Sequence, residues 1–470
     1  MKNAGKTIIC SILFFLWGGS ALRVGGFCFA QNGPLKVSDN KRFLVQQDGT
    51  PFFWLGDTAW ELFHRLNRED AEKYLKNRAE KGFTVIQAVA LAEFDGVRVP
   101  NPYNELPLEN DDPTKPREAY FKHVDFIVEK AAALGLQIAL LPTWGDKVFK
   151  GGWGKGPEIF NANNAKIYGK WLGNRYKDRK NIIWLLGGDR NPRNDEDVQI
   201  WRNMAAGVVE GVGGQNKAMM SFHPQPTADQ EGGSAQWFHN DEWLDFNMLQ
   251  NGHCRETDVW TKVQTNYNRL PTKPVLDGEP IYEDHPVCFN AKDLGTSNAY
   301  DVRRYAYADL FAGAFGHTYG CHDIWQMYSP QREAVNGPHI FWEEALDLPG
   351  AKQMTFVRRL MESRPLLERV PDQSLLANLP NYSLGIDLCA TRGKDYAFVY
   401  VAKGTPFVVN LGKISGSKVL AHWYDPRKGE SKEIGTFDNK GQQLFTAPSA
   451  GYGQDWILIL DDVAAKRAKP

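Results

Sequence analysis

Asn181-Ile182-Ile183-Trp184-Leu185-Leu186-Gly187-Gly188-Asp189-Arg190-Asn191 is an apolar run that stops abruptly in two glycines and three polar residues. Five consecutive apolar residues bounded by turn formers, with no return of apolar positions every three or four residues, read as a strand buried on both faces. Alternation places Ile183, Leu185, Gly187 and Asp189 on one face and Trp184 and Leu186 on the other. With Trp184 packed against helices, Asp189 points past the carboxyl end of the strand. Seven similar runs flank this one: Phe52 to Asp57, Phe83 to Leu91, Gln137 to Trp144, Ala218 to His223, Phe246 to His253, Pro274 to Glu279 and Gly316 to Trp325. Most are followed by a segment of helical period, which is the βαβα signature. Eight such units between Pro51 and Trp325 predict an α/β chain folded as a (β/α)8 TIM barrel.

The intervening helices carry recognisable ends. Asn67 stands as a cap before Ala71, Leu75 and Ala79, with Asp70 at the capping-box position. Phe121, Val124, Val128 and Ala131 form a second stripe stopped by Gly135, and Val198, Trp201, Ala205 and Val208 a third. Val302, Ala306 and Leu310 precede the eighth run, and Phe341 to Ser363 reads as the last helix. Upstream, Phe43 to Val45 and Phe52 to Trp54 flank Asp48-Gly49, which predicts a hairpin across the barrel floor. After Arg364-Pro365 the pattern changes to short strands, Tyr396 to Val401, Phe407 to Leu411, Lys418 to Tyr424, Gln443 to Ala447 and Trp456 to Leu460. The expected domains are therefore a leader over 1–30, the barrel with its hairpin over 31–365, and a β-sandwich over 366–470.

The leader is read from Lys2 and Lys6, the apolar run Ile8 to Trp17 and the small-residue approach to Ala30, the pattern of a secretory signal. The run is short for a bilayer span and Arg23 breaks the stretch beyond it, so no membrane span is expected in the mature chain, which would be periplasmic or secreted. Cys28 invites a lipoprotein reading, against which Phe27 stands where a small residue is wanted. Lys plus Arg, 55, nearly cancels Asp plus Glu, 56, and this balance argues against nucleic acid as a partner. Cys254, Cys288, Cys321 and Cys389 remain after the leader. They show no CxxC pair, which points away from a zinc site and leaves room for one incidental bridge.

In a barrel of this kind the chemistry lies at the carboxyl ends of the strands. Asp189 ends the fourth run and Glu279 ends the seventh, so the two face each other across the mouth. A pair of carboxyl groups, one protonated and one ionised, is the minimum equipment for cleaving a glycosidic bond. A polysaccharide or oligosaccharide substrate is the partner this predicts, and no cofactor is required. Trp60, Trp144, Trp153, Trp237 and Trp325 fall near the mouth, where flat rings stack on sugar faces. Asp57, Glu93, Arg190, Asn191, His223, Gln250 and His253 are the polar residues expected to contact substrate, together with Trp60, Trp144 and Trp325. Asp277 is expected as a buried partner of Glu279. Neither His-x-His nor His-Glu-x-x-His occurs, which argues against a metal-dependent hydrolase.

With Trp54-Leu55-Gly56-Asp57-Thr58-Ala59-Trp60, Leu186-Gly187-Gly188-Asp189-Arg190-Asn191 and Asp277-Gly278-Glu279-Pro280, the chain resembles the apiosidase-like hydrolases, glycoside hydrolase family 140. The similarity runs from about Pro34 to the C-terminus, and the last hundred residues or so resemble the partner domain labelled collagen-binding, a label that is no evidence for collagen. The resemblance implies a retaining mechanism, with Asp189 as acid/base, Glu279 as nucleophile and apiose-linked side chains of rhamnogalacturonan II as substrate. Related barrels usually end strand four in Asn-Glu; here it is Gly188-Asp189. Two readings compete: a hydrolase of another linkage, such as an arabinofuranoside or a β-glycan, and a non-catalytic carbohydrate-binding protein. A galacturonate-bearing substrate would favour a basic subsite, for which Arg98, Lys147 and Arg190 are the candidates.

Overall fold

The computed structural model describes residues 33–470 apart from 228, 230, 231 and 378–385. The expected leader therefore lies outside the described residues. All eight apolar runs contain a strand: β1 Trp54–Thr58, β2 Val85–Val89, β3 Gln137–Leu141, β4 Ile182–Gly187, β5 Met220–His223, β6 Asn247–Leu249, β7 Val275–Asp277 and β8 Gly316–Tyr319. Six of them form one parallel sheet in the order β5-β4-β3-β2-β1-β8, and β6 pairs with β7 separately. Isolated hydrogen bonds cross the two seams. Asp245 N–H donates to Met220 O at 2.8 Å beside β5, and Phe315 N–H to Val275 O at 3.0 Å beside β8. The continuous eight-stranded ladder expected from the runs is thus met as six strands plus two. The reason is local: of the run Phe246 to His253 only three residues stay in the ladder, because Gln250 to His253 turn away, with Gly252 at φ 73°.

The flanking helices follow their signals. Asn67 Oδ1 accepts the Asp70 N–H at 2.8 Å and starts helix Arg68–Glu80. Helix Glu118–Ala133 ends before Gly135 at φ 80°, and helix Asp195–Val212 ends at Gly213, φ 87°. Two readings are corrected. The expected last helix is two, Trp342–Ala345 and Pro349–Glu362, since Pro349 lacks an N–H and can only begin a helix here. The eighth run is a strand only to Tyr319; His322–Trp325 is a helical turn. Upstream, Leu44–Gln46 pairs antiparallel with Pro51–Phe52 around Asp48-Gly49 as a hairpin should, and also with Leu35–Val37.

The C-terminal unit is a six-stranded antiparallel sheet, in which Tyr396–Val401 and Trp456–Asp462 are central, faced by the pair Phe407–Asn410 and Gln442–Phe445. Strands Val370–Pro371, Leu388–Arg392 and Glu430–Asp438, absent from the sequence reading, complete the sheet. The period of two sorts its central strand between two cores. Ala397, Val399 and Val401 pack with Phe407, Val409 and Phe445 inside the unit, whereas Tyr396, Phe398 and Tyr400 join the core of the first domain. Helix Ala299–Ala312 receives them: Tyr307 stacks on Tyr400 at 4.9 Å and Phe311 on Phe398 at 6.2 Å. Arg303 makes a two-pronged ion pair with Asp455, 3.0 and 2.6 Å, both side chains sealed from solvent. No helix among the described residues is long and apolar enough to cross a membrane.

Candidate active site

Strand β4 ends at Gly187, and the next step is a left-handed turn rather than more strand. Gly187, Gly188 and Asp189 have φ of 86°, 117° and 50°. Glycine is needed at 188 on two counts, since a Cβ there would also lie 2.7 Å from the Trp144 ring and 2.9 Å from the Gly145 nitrogen. Asp189 itself is held in a conformation uncommon for a residue with a side chain, the kind of local strain that accumulates where position matters. The turn delivers its carboxyl to three donors. Gln250 Nε2 reaches Oδ1 at 3.2 Å, while Trp153 Nε1 at 3.2 Å and Arg190 Nη1 at 3.0 Å reach Oδ2.

Glu279 follows β7 and is only 6% exposed. His223 Nε2, from the end of β5, lies 3.1 Å from Oε2, and His253 Nε2 lies 3.4 Å from Oε1. His223 also spans the gap to the other acid: Asp189 N–H points at its Nδ1 at 3.4 Å. With Nδ1 occupied by that N–H, Nε2 is the ring nitrogen left on the side of Glu279. Behind Glu279, Asp277 is fully buried as expected, its Oδ1 accepting the Glu279 N–H at 3.2 Å and its Oδ2 the Asn251 Nδ2 at 2.7 Å.

These surroundings push the two carboxyls apart. Burial, then the charge of Glu279, raises Asp189 to about 6 against the pull of Arg190, His223 and Trp153. Burial also acts to raise Glu279, but the contacts with His223 and His253 outweigh it and hold the group at about 2. Between those limits one carboxyl is protonated and the other ionised, which is how environment assigns acid and base roles to a pair.

Of the other residues singled out, Trp60, Trp144, Glu93, Arg190, Gln250 and both histidines gather here. Trp60 lies 5.1 Å from both the Trp144 and His223 rings. Glu93 is raised well above the carboxylate range by burial and by the charges of Asp146, Asp189 and Glu61. Trp325 is one layer out; it stacks on Phe94 and donates to His322, whose ring faces His285, which stacks on His253 at 4.0 Å. Asn191 is occupied by the Gln225 backbone, accepting its N–H at 2.9 Å. Asp57, expected to grip sugar hydroxyls, is corrected. It is fully buried against helix Arg68–Glu80, bonded to Tyr74 and Arg78, because strand alternation turns it outward and Thr58 inward. Trp237 packs beside Phe222 at 6.4 Å. The basic candidates are also engaged: Lys147 is sealed on Asp146, Arg98 pairs with Asp111 and Arg190 serves Asp189.

Tyr282 was missed. Its hydroxyl accepts the Trp60 indole N–H at 3.1 Å and faces both Thr58 and Glu279. The signal was its place three residues after Glu279, where the chain is still crossing the mouth. Cys254 and Cys288 form the one bridge among the described residues, tying the loop after β7 to the residue beside His253.

The model of the apiosidase-like catalytic domain matches residues 38–368. The chain belongs to the apiosidase-like family. A second model, described as "Putative collagen-binding domain of a collagenase", matches residues 370–461. Among solved structures, a glycoside hydrolase is 38% identical at TM-score 0.83, over 92% of this chain and 98% of that one. A glycoside hydrolase family 5 protein from Bacteroides vulgatus ATCC 8482 is also 38% identical, at TM-score 0.84, over 92% and 94%. No curated protein matches the chain. Membership in the apiosidase-like family, with these neighbours, makes the chain a glycoside hydrolase acting on carbohydrate.

Proposed function

We propose that the chain is an exported, retaining glycosidase of plant cell-wall pectin that releases apiose-linked side chains of rhamnogalacturonan II. Asp189 is the acid/base and Glu279 the nucleophile. The observation that carries the assignment is the opposite displacement of the two carboxyls, Asp189 up and Glu279 down, at the ends of β4 and β7. In the first step Asp189 gives its proton to the departing oxygen while Glu279 bonds to the anomeric carbon. In the second, Asp189 takes a proton from water, which displaces Glu279. The imidazoles on Glu279 keep it ionised and aimed. The strands are read as one closed barrel, with the seams beside β6 and β7 opened where their residues leave to line the site. The family supplies the apiosyl reading.

The test is product release from a panel of pectic and hemicellulosic glycans, run beside folded Asp189→Ala and Glu279→Gln variants. Release of an apiose-linked oligosaccharide from rhamnogalacturonan II, with both variants slowed by at least about a thousand-fold, is expected. Folded variants as active as wild type would refute the site. Cleavage of arabinofuranosides or β-glycans instead would refute the linkage.

A further inference from the structure

Trp153 sits on the loop after β3 between Gly152 and Gly154, and it is 53% exposed. An indole left in water forgoes the stabilisation that burying a large apolar side chain brings. This one is nevertheless held in place at two points. Its Nε1–H donates to Asp189 Oδ2 at 3.2 Å, and the Arg190 guanidinium lies over one ring face, 4.4 Å from its centre. Arg190 is in turn fixed, donating to Asp189 O at 2.6 Å and to Lys150 O at 3.3 Å. The ring thus has its edge on a carboxyl, one face on a buried cation, and the other face open.

Chemistry decides which side of the cleft that open face borders. The acid gives its proton to the oxygen of the departing residue, so a ring bonded to the acid lies toward the leaving group, away from the sugar whose anomeric carbon meets Glu279. We propose that Trp153 forms the leaving-group subsite: its open face stacks on the apolar C–H face of a pyranose, and its N–H positions Asp189. Trp153 and Arg190 both donate to Oδ2 and Gln250 alone to Oδ1, so Oδ1 is the oxygen with more room for the transferable proton. This inference rests on the roles proposed for Asp189 and Glu279.

The full chain and its Trp153→Ala and Trp153→Phe variants are compared on whichever panel glycan wild type cuts and on the glycosyl fluoride of the released sugar. Fluoride leaves without a proton and brings no sugar to seat. Trp153→Ala is expected to raise KM for the glycan about ten-fold, with a several-fold smaller loss on the fluoride. Trp153→Phe, which keeps a ring, is expected to hold KM within about three-fold. It should also move the basic limb of kcat/KM to higher pH, since ionised Asp189 loses a donor. Glu279, Arg190, His223, Gln250 and Glu93 face Asp189 in both proteins. Equal losses on both substrates with an unmoved limb would overturn the proposal. Cleavage of a non-pectic glycan would sink the pectic reading while leaving Trp153 tested, and a chain that cuts no glycan would overturn both.

Discussion

Glu279→Gln should lower the pKa of Asp189. Two charges about 5.5 Å apart, the separation a retaining pair requires, repel by about 3 kcal/mol at an effective dielectric of about 20, or roughly two pKa units. The amide keeps the shape and burial of Glu279 but removes that charge, so Asp189 should fall from about 6 toward its ordinary 3.8. Burial stops it from falling further, while Arg190, His223 and Trp153 continue to favour the ionised form. The measurement is a carbon-13 titration of the Asp189 side-chain carboxyl in the variant and the wild type, assigned by loss of the signal in Asp189→Asn. In wild type the same ionisation should set the basic limb of kcat/KM near 6 and Glu279 the acid limb near 2. A midpoint in Glu279→Gln that stays near 6 would refute the reasoning, because burial alone would then set the acidity of Asp189 and the two groups would not be a coupled pair.

Two more outcomes are expected from particular contacts. His253→Ala removes one of the two imidazoles facing Glu279, so the Glu279 pKa should rise and the acid limb of kcat/KM move to higher pH, with a loss of about ten-fold at neutral pH from a contact worth about 1.5 kcal/mol. An unmoved limb would show that His223 alone sets the acidity of Glu279. Asp455→Ala leaves Arg303 buried without its counter-charge and should cost about 3–5 kcal/mol in urea unfolding, much of it regained in Arg303→Met/Asp455→Leu. A loss below about 1 kcal/mol would mean that water reaches the guanidinium.

The parallel strands were legible because burial on both faces writes itself as an unbroken apolar run, and all eight runs contain one. Their ends were not, because leaving a strand is decided by individual φ values. Asp189 was found, yet the alternation that pointed to it ends at Gly187, and a left-handed turn does the placing. At Asp57 the same kind of extrapolation failed by one residue, which is enough to exchange a cavity for a helix. His223 and His253 were seen as polar strand-end residues, but their convergence on Glu279 depends on loops whose paths have no period. Tyr282 had only its closeness in sequence to Glu279 to mark it, since its turn into the site depends on such a loop too. Pro349 was a readable break that the longer helical stripe concealed. Glu430–Asp438 escaped because it lies at the sheet edge and buries little, so it has no apolar signature.

The central strand of the C-terminal sheet, with one face in each core, bears on how such a gene can change. A unit that hangs from an exposed linker can be cut away without baring a core. Here no free linker separates the parts: helix Pro349–Glu362 is followed within eight residues by the edge strand Val370–Pro371. A cut between them would bare Tyr396, Phe398 and Tyr400 on one product and Tyr307 and Phe311 on the other. Parting the two units therefore calls for polar replacements at Tyr307 and Phe311 on helix Ala299–Ala312 as well as a break in the chain.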